Sequence, residues 1–168
     1  MAEKVMSSAY RLALVLSTLL LTVGCDQATK ALVRHALSSS DRFSFLDGAV
    51  ILRHAENPGA FLSLGANLDA STRFWIFSVF VSFFLAFTLY KLIRSADADR
   101  LFTFGATLLI AGGVGNLIDR ISKGTVTDFL VVSAGPLSTG VFNVADFAIV
   151  VGVAVLLYCT YREKVISA

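Results

Sequence analysis

The sequence predicts an all-α integral membrane protein with four transmembrane helices and a small extracytoplasmic β-sheet between helices 1 and 2. The 168-residue chain is 56% hydrophobic and only 15% charged, with a mean hydropathy of +0.76, which is outside the range of soluble proteins. Four apolar runs approach the roughly 20 residues that a helix needs to cross a hydrocarbon core of ~30 Å. Because no repeat or flexible linker is present, residues 1–168 are predicted to form one membrane-embedded domain.

The first span is predicted at about 12–33. It is purely apolar only as far as Gly24, but helix-compatible sequence continues through Cys25 and Lys30. The other three spans are predicted at about 74–93, 101–118 and 144–161. Each of the four segments is long enough to cross a bilayer.

The start of the chain has a competing interpretation as a cleaved secretory or lipoprotein signal peptide. It has a basic beginning and an apolar stretch, and 21–25 resembles a lipobox. The match is poor because Thr22 stands where a lipobox has leucine, three positions before Cys25, and because three further spans follow. The sequence therefore favours a retained signal-anchor helix over cleavage.

Lysine and arginine residues predict the orientation in the membrane. Half of the 14 are concentrated in the short segments before span one, between spans two and three, and after span four: Lys4, Arg11, Lys91, Arg94, Arg100, Arg162 and Lys164. The other half is spread over the much longer remaining loops. Because dense basic segments stay in the cytoplasm, both termini are predicted to be cytoplasmic.

The segment at about 41–70 is predicted to form the extracytoplasmic sheet, since it alternates short apolar runs with turn signals. The predicted strands contain Phe43, Phe45 and 49–52, and the predicted turns are 47–48 and 57–59. We expect this small antiparallel sheet to rest on the helical bundle.

Composition also excludes several classes of function. A net charge of +2, dispersed along the chain, does not indicate a nucleic-acid partner. Cys25 and Cys159 end the first and last apolar runs, on opposite faces of the membrane, so they are not expected to form a disulfide. The only histidines, His35 and His54, are expected to be solvated loop residues. No metal-ligand cluster is therefore predicted.

Polar residues from four separate stretches are predicted to gather at one depth of the membrane, near its outer face. They are Asp26, Lys30, Asn116, Asp119, Arg120, Asp128, Asn143 and Asp146. Ionisable residues within or at the edge of spans are costly, so each is a functional candidate until a structural partner explains it.

Each of these motifs also has a simpler structural interpretation. Asp26 and Lys30, four residues apart, can form a helix-end salt bridge worth a few tenths of a kcal/mol. Asn143 and Asp146 have the spacing of a helix N-cap and its third residue. The glycines within 112–115 have small-xxx-small spacing, which we interpret as helix packing without a chemical role.

Asp128 is harder to explain structurally, because it lies in the apolar stretch 126–130 without a basic residue within four positions. A buried carboxyl group there would keep its proton. Brought close to Asp146, whose position in the first turn of a helix favours the anion, it would form a pair that shares one proton. Such a pair can activate water, although which carboxylate is the base in each step stays open because a coupled pair titrates as a unit.

Five blocks together resemble bacterial lipoprotein signal peptidase (signal peptidase II), in order and in their places relative to the four spans. They are Asp26-Gln27-Ala28-Thr29-Lys30, Asn57-Pro58-Gly59-Ala60-Phe61, Gly112 to Arg120, Val126-Thr127-Asp128-Phe129 and Phe142-Asn143-Val144-Ala145-Asp146. Each block alone is short, but five in order over 26–146 make a chance match very improbable.

The resemblance implies an inner-membrane aspartic endopeptidase that cuts lipid-modified prolipoproteins just before the diacylglyceryl-modified cysteine. It assigns catalysis to Asp128 and Asp146, with the active site near the outer face of the membrane. The residues that it assigns to substrate binding or to support of the pair are Asp26, Lys30, Asn57, Gly59, Asn116, Arg120, Val126 and Asn143. It implies no metal, no cofactor and no nucleic acid, and a monomer that contacts membrane lipid is expected.

Other functions fit the sequence less well. It lacks the zinc, serine and Gly-x-Gly-Asp motifs of other membrane proteases. An ion- or proton-coupled carrier would need polar residues through the full depth of the bilayer, whereas the inner halves of the spans are nearly all apolar. A scaffold subunit would use the acids only as caps and salt bridges, and replacing Asp128 would then cost stability but no activity.

Overall fold

The computed structural model describes residues 6–60, 63–95 and 98–167 of the chain. Lys4 and Phe61, which contributed to the predicted orientation and to one motif, lie outside the described residues. In chain order the elements are α1 (Ser8–Ala36), β1 (Arg42–Phe45), β2 (Val50–Asn57), α2 (Ala70–Arg94), α3 (Arg100–Lys123), β3 (Val126–Ala134), β4 (Leu137–Ser138) and α4 (Val144–Ser167). The predicted fold class is confirmed: within these described residues four helices are long and apolar enough to cross a membrane, and a small antiparallel sheet accompanies them.

Helix α3 forms the centre of the bundle and packs against α1, α2 and α4. Half of its most apolar stretch is buried inside the protein, against 17% to 22% for the other three helices. A core cluster joins Val15, Leu92, Ala106 and Ile110 from three of the helices. The outer faces of α1, α2 and α4 carry exposed large apolar side chains, as expected of helices that face lipid.

The helices extend beyond the predicted spans because polar residues continue or cap them. The side chain of Asp69 accepts a hydrogen bond from Thr72 N at the start of α2, and Asp99 accepts one from Phe102 N at the start of α3. Helix α3 passes its apolar stretch by a full turn and ends at Gly124, which has a positive φ of 78°. Hydropathy thus located the lipid-embedded part of each helix rather than its ends.

The sheet is larger than the sequence predicted. Its strand order is β1-β2-β3-β4, with antiparallel pairing throughout. Strands β1 and β2 come from the predicted segment at 41–70, but β3 and β4 lie between α3 and α4, where no strand was predicted. Strand β3 pairs with β2, which brings two distant loops together at one end of the bundle.

The expectation that both histidines are solvated loop residues is wrong about the loops, although His35 is exposed as expected. His35 lies in the last turn of α1. His54 lies on β2, where its ring nitrogens are 3.2 Å from the carbonyl oxygen of Leu37 and 3.0 Å from Glu56 Oε1. The ring therefore links the sheet to the end of α1. Neither Cys25, which is exposed, nor Cys159, which is buried, is in a disulfide.

Candidate active site

The residues predicted to form a site meet at the end of the bundle where α1 and α3 end and α4 begins. Strands β2 and β3 cover this end and contribute side chains of their own. Nearly every predicted polar residue contacts another member of the group, and several are buried: Asp26, Lys30, Asp119, Asp128 and Asn143.

Asp128 lies near the start of β3 and is 3% exposed. Its Oδ1 accepts a hydrogen bond from Asn143 Nδ2 at 2.6 Å, and its Oδ2 accepts one from Asn57 Nδ2 at 3.1 Å. Burial and the negative charge of nearby Asp146 raise the pKa of Asp128 to about 6, although its hydrogen bonds act in the opposite direction. Asp128 is therefore a carboxyl group that holds its proton more readily than an ordinary aspartate.

Asp146 lies in the first turn of α4 and forms a reciprocal capping arrangement with Asn143. Asp146 N donates to Asn143 Oδ1 at 2.9 Å, and Asn143 N donates to Asp146 Oδ2 at 3.2 Å. The two residues thus do cap the start of α4, as their spacing indicated. The other carboxylate oxygen of Asp146 accepts from Asn116 Nδ2 at 2.8 Å, so the same side chain also faces the site.

Two asparagine side chains connect the two carboxyl groups. Asn143 Nδ2, which donates to Asp128, also lies 3.1 Å from Asn116 Oδ1, and Asn116 Nδ2 donates to Asp146. All four carboxyl oxygens therefore have an N–H donor. Because each oxygen has a second lone pair, the carboxyl groups can still bind a proton, a water molecule or a substrate.

Together with Asn143, Lys30 determines which way the Asn116 amide points. Its Nζ donates to Asn116 Oδ1 at 2.9 Å, so the amide nitrogen of Asn116 must face Asp146. Lys30 Nζ also lies 2.8 Å from Asp26 and 3.5 Å from Asp119, and all three charged groups are buried. In energetic terms this is a buried ionic cluster that joins α1 to α3, and not the simple helix-end salt bridge that the spacing alone indicated.

Asp26 holds the first turn of α4 from a different helix. Its Oδ1 accepts a hydrogen bond from Ala145 N at 2.9 Å, one of the free N–H groups at the start of α4. Gly115 makes room for this contact, since a methyl group on its Cα would lie 2.6 Å from Asp26 Oδ2. Asp26 therefore fixes the position of the helix turn that carries Asp146.

We expect Gly115→Ala to destabilise the protein by about 1–3 kcal/mol, because the added methyl group forces Asp26 away from α4. Gly24→Ala is the matched control: Gly24 is also helical, but nothing lies within 4 Å of its added methyl group. That variant should be neutral or slightly stabilising, by up to about 1 kcal/mol. Thermal unfolding in detergent, followed by circular dichroism, measures both. Equal melting temperatures for the two variants would contradict the tight packing at Gly115.

Arg120 lies at the edge of the site and binds the turn that follows β2. Its Nη2 donates to the carbonyl oxygen of Gly59 at 2.9 Å, and its guanidinium lies 5.7 Å from the ring centre of Phe77. Asn57 holds the same turn, because its Oδ1 accepts from Gly59 N and its Nδ2 donates to Ala60 O. A cavity of about 80 Å³ opens beside this turn, between Arg120, Phe77 and Pro58.

Val126 differs from the other predicted site residues because its side chain is apolar. It is 2% exposed and pairs with Asn57 across the β2–β3 ladder. Its predicted contact with substrate stays a prediction. Among the described residues, no group of three or more histidine, cysteine, aspartate or glutamate side chains is placed to hold a metal ion.

Sequence reasoning missed the role of Asp119, which anchors β3 to the end of α3. Its Oδ2 accepts a hydrogen bond from Thr127 N at 3.0 Å, next to Asp128. Arg34 and Lys123 lie 3.6 and 3.5 Å from its oxygens and help to neutralise its charge. The signal for this role was the spacing from Asn116 to Asp119, which places both residues on one face of α3.

The arrangement can perform acid–base chemistry at one end of the bundle. It contains a carboxyl group with a raised pKa, a second carboxyl group at a helix N-terminus, and amides that fix both. One protonated and one ionised carboxyl group can together polarise a carbonyl group and activate a water molecule.

Comparisons with known proteins agree on one family. A family model described as signal peptidase (SPase) II matches residues 18–162. The lipoprotein signal peptidase of Desulforapulum autotrophicum is 40% identical over 156 residues, covering 92% of this chain and 94% of the relative. That of Geobacter metallireducens is 34% identical over 159 residues, covering 95% and 96%.

A solved structure has a similar fold. It is described as a bacterial membrane enzyme determined by the in meso method at 2.3 Å resolution, and it matches with a TM-score of 0.79. The match covers 89% of this chain and 88% of that chain, with 24% sequence identity. At this identity the likeness extends to the fold alone.

Proposed function

The chain belongs to the signal peptidase II family, and on that premise we propose that it is a membrane aspartic endopeptidase. It removes signal peptides from diacylglyceryl-modified prolipoproteins by cutting just before the lipidated cysteine. The observation that carries the proposal is the pair Asp128 and Asp146, which belong to different elements and are joined through Asn143 and Asn116. Neither metal nor covalent intermediate is part of the proposed mechanism.

In the proposed mechanism the two carboxyl groups share one proton. The ionised carboxylate removes a proton from a water molecule, which attacks the carbonyl carbon of the scissile amide, while the other carboxyl group donates its proton to the developing oxyanion. The tetrahedral intermediate then collapses: the carboxyl group that took the proton from water passes it to the leaving amine, and the hydroxyl formed from the oxyanion returns its proton to the other carboxylate as the carbonyl group forms again. Burial raises the pKa of Asp128 and so favours a pair that holds one proton, and this proton belongs to the pair because coupled carboxyl groups titrate as a unit.

The surrounding residues would hold substrate and catalytic pair together. Arg120 and the turn at Gly59 lie at the open edge of the site, where the peptide backbone of a substrate could replace the existing contact between them. Both carboxyl groups would be kept in orientation by the three amide side chains of Asn57, Asn116 and Asn143. Val126 would contribute an apolar surface to the substrate site. Asp26 would support the pair through its hydrogen bond to the first turn of α4. Lys30 would support it through its hydrogen bond to the Asn116 amide.

We place the site near the outer face of the bacterial inner membrane, with both termini in the cytoplasm. Lys91, Arg94, Arg100 and Arg162 lie at the opposite end of the bundle from Asp128, and dense basic segments stay on the cytoplasmic side. A signal peptide that spans the same membrane would present its cleavage site at the outer interface, where water is available. The chain would work as a single domain and as a monomer.

The proposal is tested by incubating the purified protein in detergent with a diacylglyceryl-modified prolipoprotein and measuring the masses of the products. We expect one cut, immediately before the lipidated cysteine, and the same rate in the presence of a metal chelator. A folded protein that never cuts this substrate would contradict the proposal and favour a carrier or a scaffold. A precursor without the lipid serves as the control for the lipid requirement.

A further inference from the structure

The pairing of β2 with β3 changes register just before it reaches the site. Leu52 pairs with Leu130, whereas Ala55 pairs with Asp128, so two residues of β2 lie opposite the single residue Phe129. This is a β-bulge, and a one-residue slip at such a place turns every following side chain to the other face of the sheet. The register beyond the bulge therefore decides whether Asp128 reaches the site.

The observed register places Asn57 and Asp128 on the same face of the sheet. The hydrogen bond of 3.1 Å between their side chains demonstrates this. On the opposite face, Glu56 pairs directly with Thr127. Any interaction that holds Glu56 and Thr127 opposite each other also holds Asn57 beside Asp128, because neighbouring residues of a strand move together.

Glu56 binds two threonine hydroxyl groups that are two residues apart, Thr127 on β3 and Thr125 just before it. Its Oε1 accepts a hydrogen bond from Thr127 Oγ1 at 2.9 Å, and its Oε2 accepts one from Thr125 Oγ1 at 2.5 Å. Thr127 is fully buried, and Lys123 Nζ lies 2.5 Å from its Oγ1 and 3.5 Å from Glu56 Oε2. A slip of one residue would break both threonine contacts at once.

The charge of Glu56 is well compensated. Partial burial disfavours the carboxylate, but hydrogen bonds from Thr125, His54 and Thr127, together with the Lys123 ammonium, outweigh that effect and lower the pKa of Glu56 to about 2. Both carboxylate oxygens are therefore acceptors at any pH at which a cell works.

We propose that Glu56 is a positioning residue for the cleavage reaction, because it holds Thr125 and Thr127 in the one register that places Asp128 beside Asn57. This inference rests on the proposed function, since it assigns Glu56 to the same site. Glu56 touches no reacting atom in this arrangement. Its effect on the reaction passes through the β2–β3 ladder.

We expect Glu56→Ala to lower kcat for prolipoprotein cleavage by about 10- to 100-fold while KM changes by less than about threefold, since a misplaced catalytic group slows chemistry without weakening substrate binding. Glu56→Gln, whose amide can accept from only one of the two threonines, should give an intermediate kcat. Arg53→Ala is the matched control: it changes an exposed residue of the same strand, at the bulge, and should leave kcat unchanged.

Amide hydrogen exchange provides a readout that does not depend on activity. In Glu56→Ala the peptide covering 126–134 should exchange faster than in the wild type, while the peptide at the start of α4 should not change. If Glu56→Ala does not fold, Glu56→Gln takes its place in both measurements, since it keeps the size of the side chain.

Three outcomes would overturn the inference. The first is that Glu56→Ala has the kcat and the KM of the wild type, and the second is a raised KM with unchanged kcat, which would make Glu56 a substrate contact. The third is unchanged exchange over 126–134. If the wild type itself cuts no prolipoprotein, the proposed function fails. The exchange comparison then decides the register role of Glu56 alone.

Discussion

Asp128→Asn and Asp146→Asn should each reduce kcat for prolipoprotein cleavage by roughly 10³-fold or more, with KM much less affected. Each substitution removes a carboxyl group that the proposed mechanism needs as acid or base, and groups that act as a unit lose most of their effect when either one is removed. Steady-state cleavage of the lipid-modified precursor, with product masses as the readout, measures the loss. Near wild-type turnover in either folded variant would contradict the two-carboxylate mechanism.

The two variants need a check of folding, since asparagine does not fit the Asp128 site perfectly. Both oxygens of Asp128 accept hydrogen bonds from amide nitrogens, so an amide group there would point its own nitrogen at a donor. We expect a cost of about 1–3 kcal/mol in stability from that mismatch. Asp47→Asn is the control: Asp47 is exposed, outside the site, and has a positive φ of 53° that asparagine tolerates. Its kcat should equal that of the wild type.

The transmembrane helices could be predicted because crossing a bilayer constrains composition strongly. Their ends could not, because α3 continues through Asp119, Arg120 and Lys123 on interactions with other elements. The polar side chains of that last turn contact β3 and the turn after β2. Hydropathy averages over a window and cannot detect such contacts.

Strand β3 was missed for a different reason. Its apolar run is short, and a short apolar run without alternation does not distinguish a buried strand from a loop or a helix end. The partner strand, β2, lies about 70 residues earlier in the chain, so only the tertiary fold brings the two together. The first half of the sheet could be predicted because β1 and β2 form a local hairpin with turn residues between them.

The residues of the site, like the helices and strands, include some that could be predicted from the sequence and some that could not. Asp128 and Asp146 could be selected from the sequence because a carboxyl group is costly in an apolar stretch and needs an explanation. Glu56 could not, because glutamate in an extramembrane segment needs no such explanation and its partners Thr125 and Thr127 lie 69 and 71 residues later in the chain. A residue that only positions other residues has no distinctive pattern in the sequence around it.

The buried cation Lys30 should have the largest effect on stability of any residue in the ionic cluster. Lys30→Met keeps an unbranched side chain that is one atom shorter, but it leaves Asp26 buried without a cation and removes a donor from Asn116. We expect the free energy of unfolding to fall by about 3–5 kcal/mol, the usual cost of breaking a buried ion pair from one side. Denaturant titration in detergent measures it, and Lys91→Met, an exposed lysine of α2, should stay within about 0.5 kcal/mol of the wild type.

A double variant separates the charge of the cluster from its role in the site. Asp26→Asn with Lys30→Met removes both buried charges, while the amide oxygen introduced at position 26 can still accept the hydrogen bond from Ala145 N. It should regain about 1–3 kcal/mol relative to Lys30→Met alone, because no uncompensated charge remains between α1 and α4. Its kcat should stay low, since Asn116 Oδ1 has lost its charged donor and keeps only the one from Asn143 to turn its nitrogen toward Asp146. A double variant with wild-type kcat would mean that Asn143 alone orients Asn116, and that Lys30 serves only to neutralise Asp26.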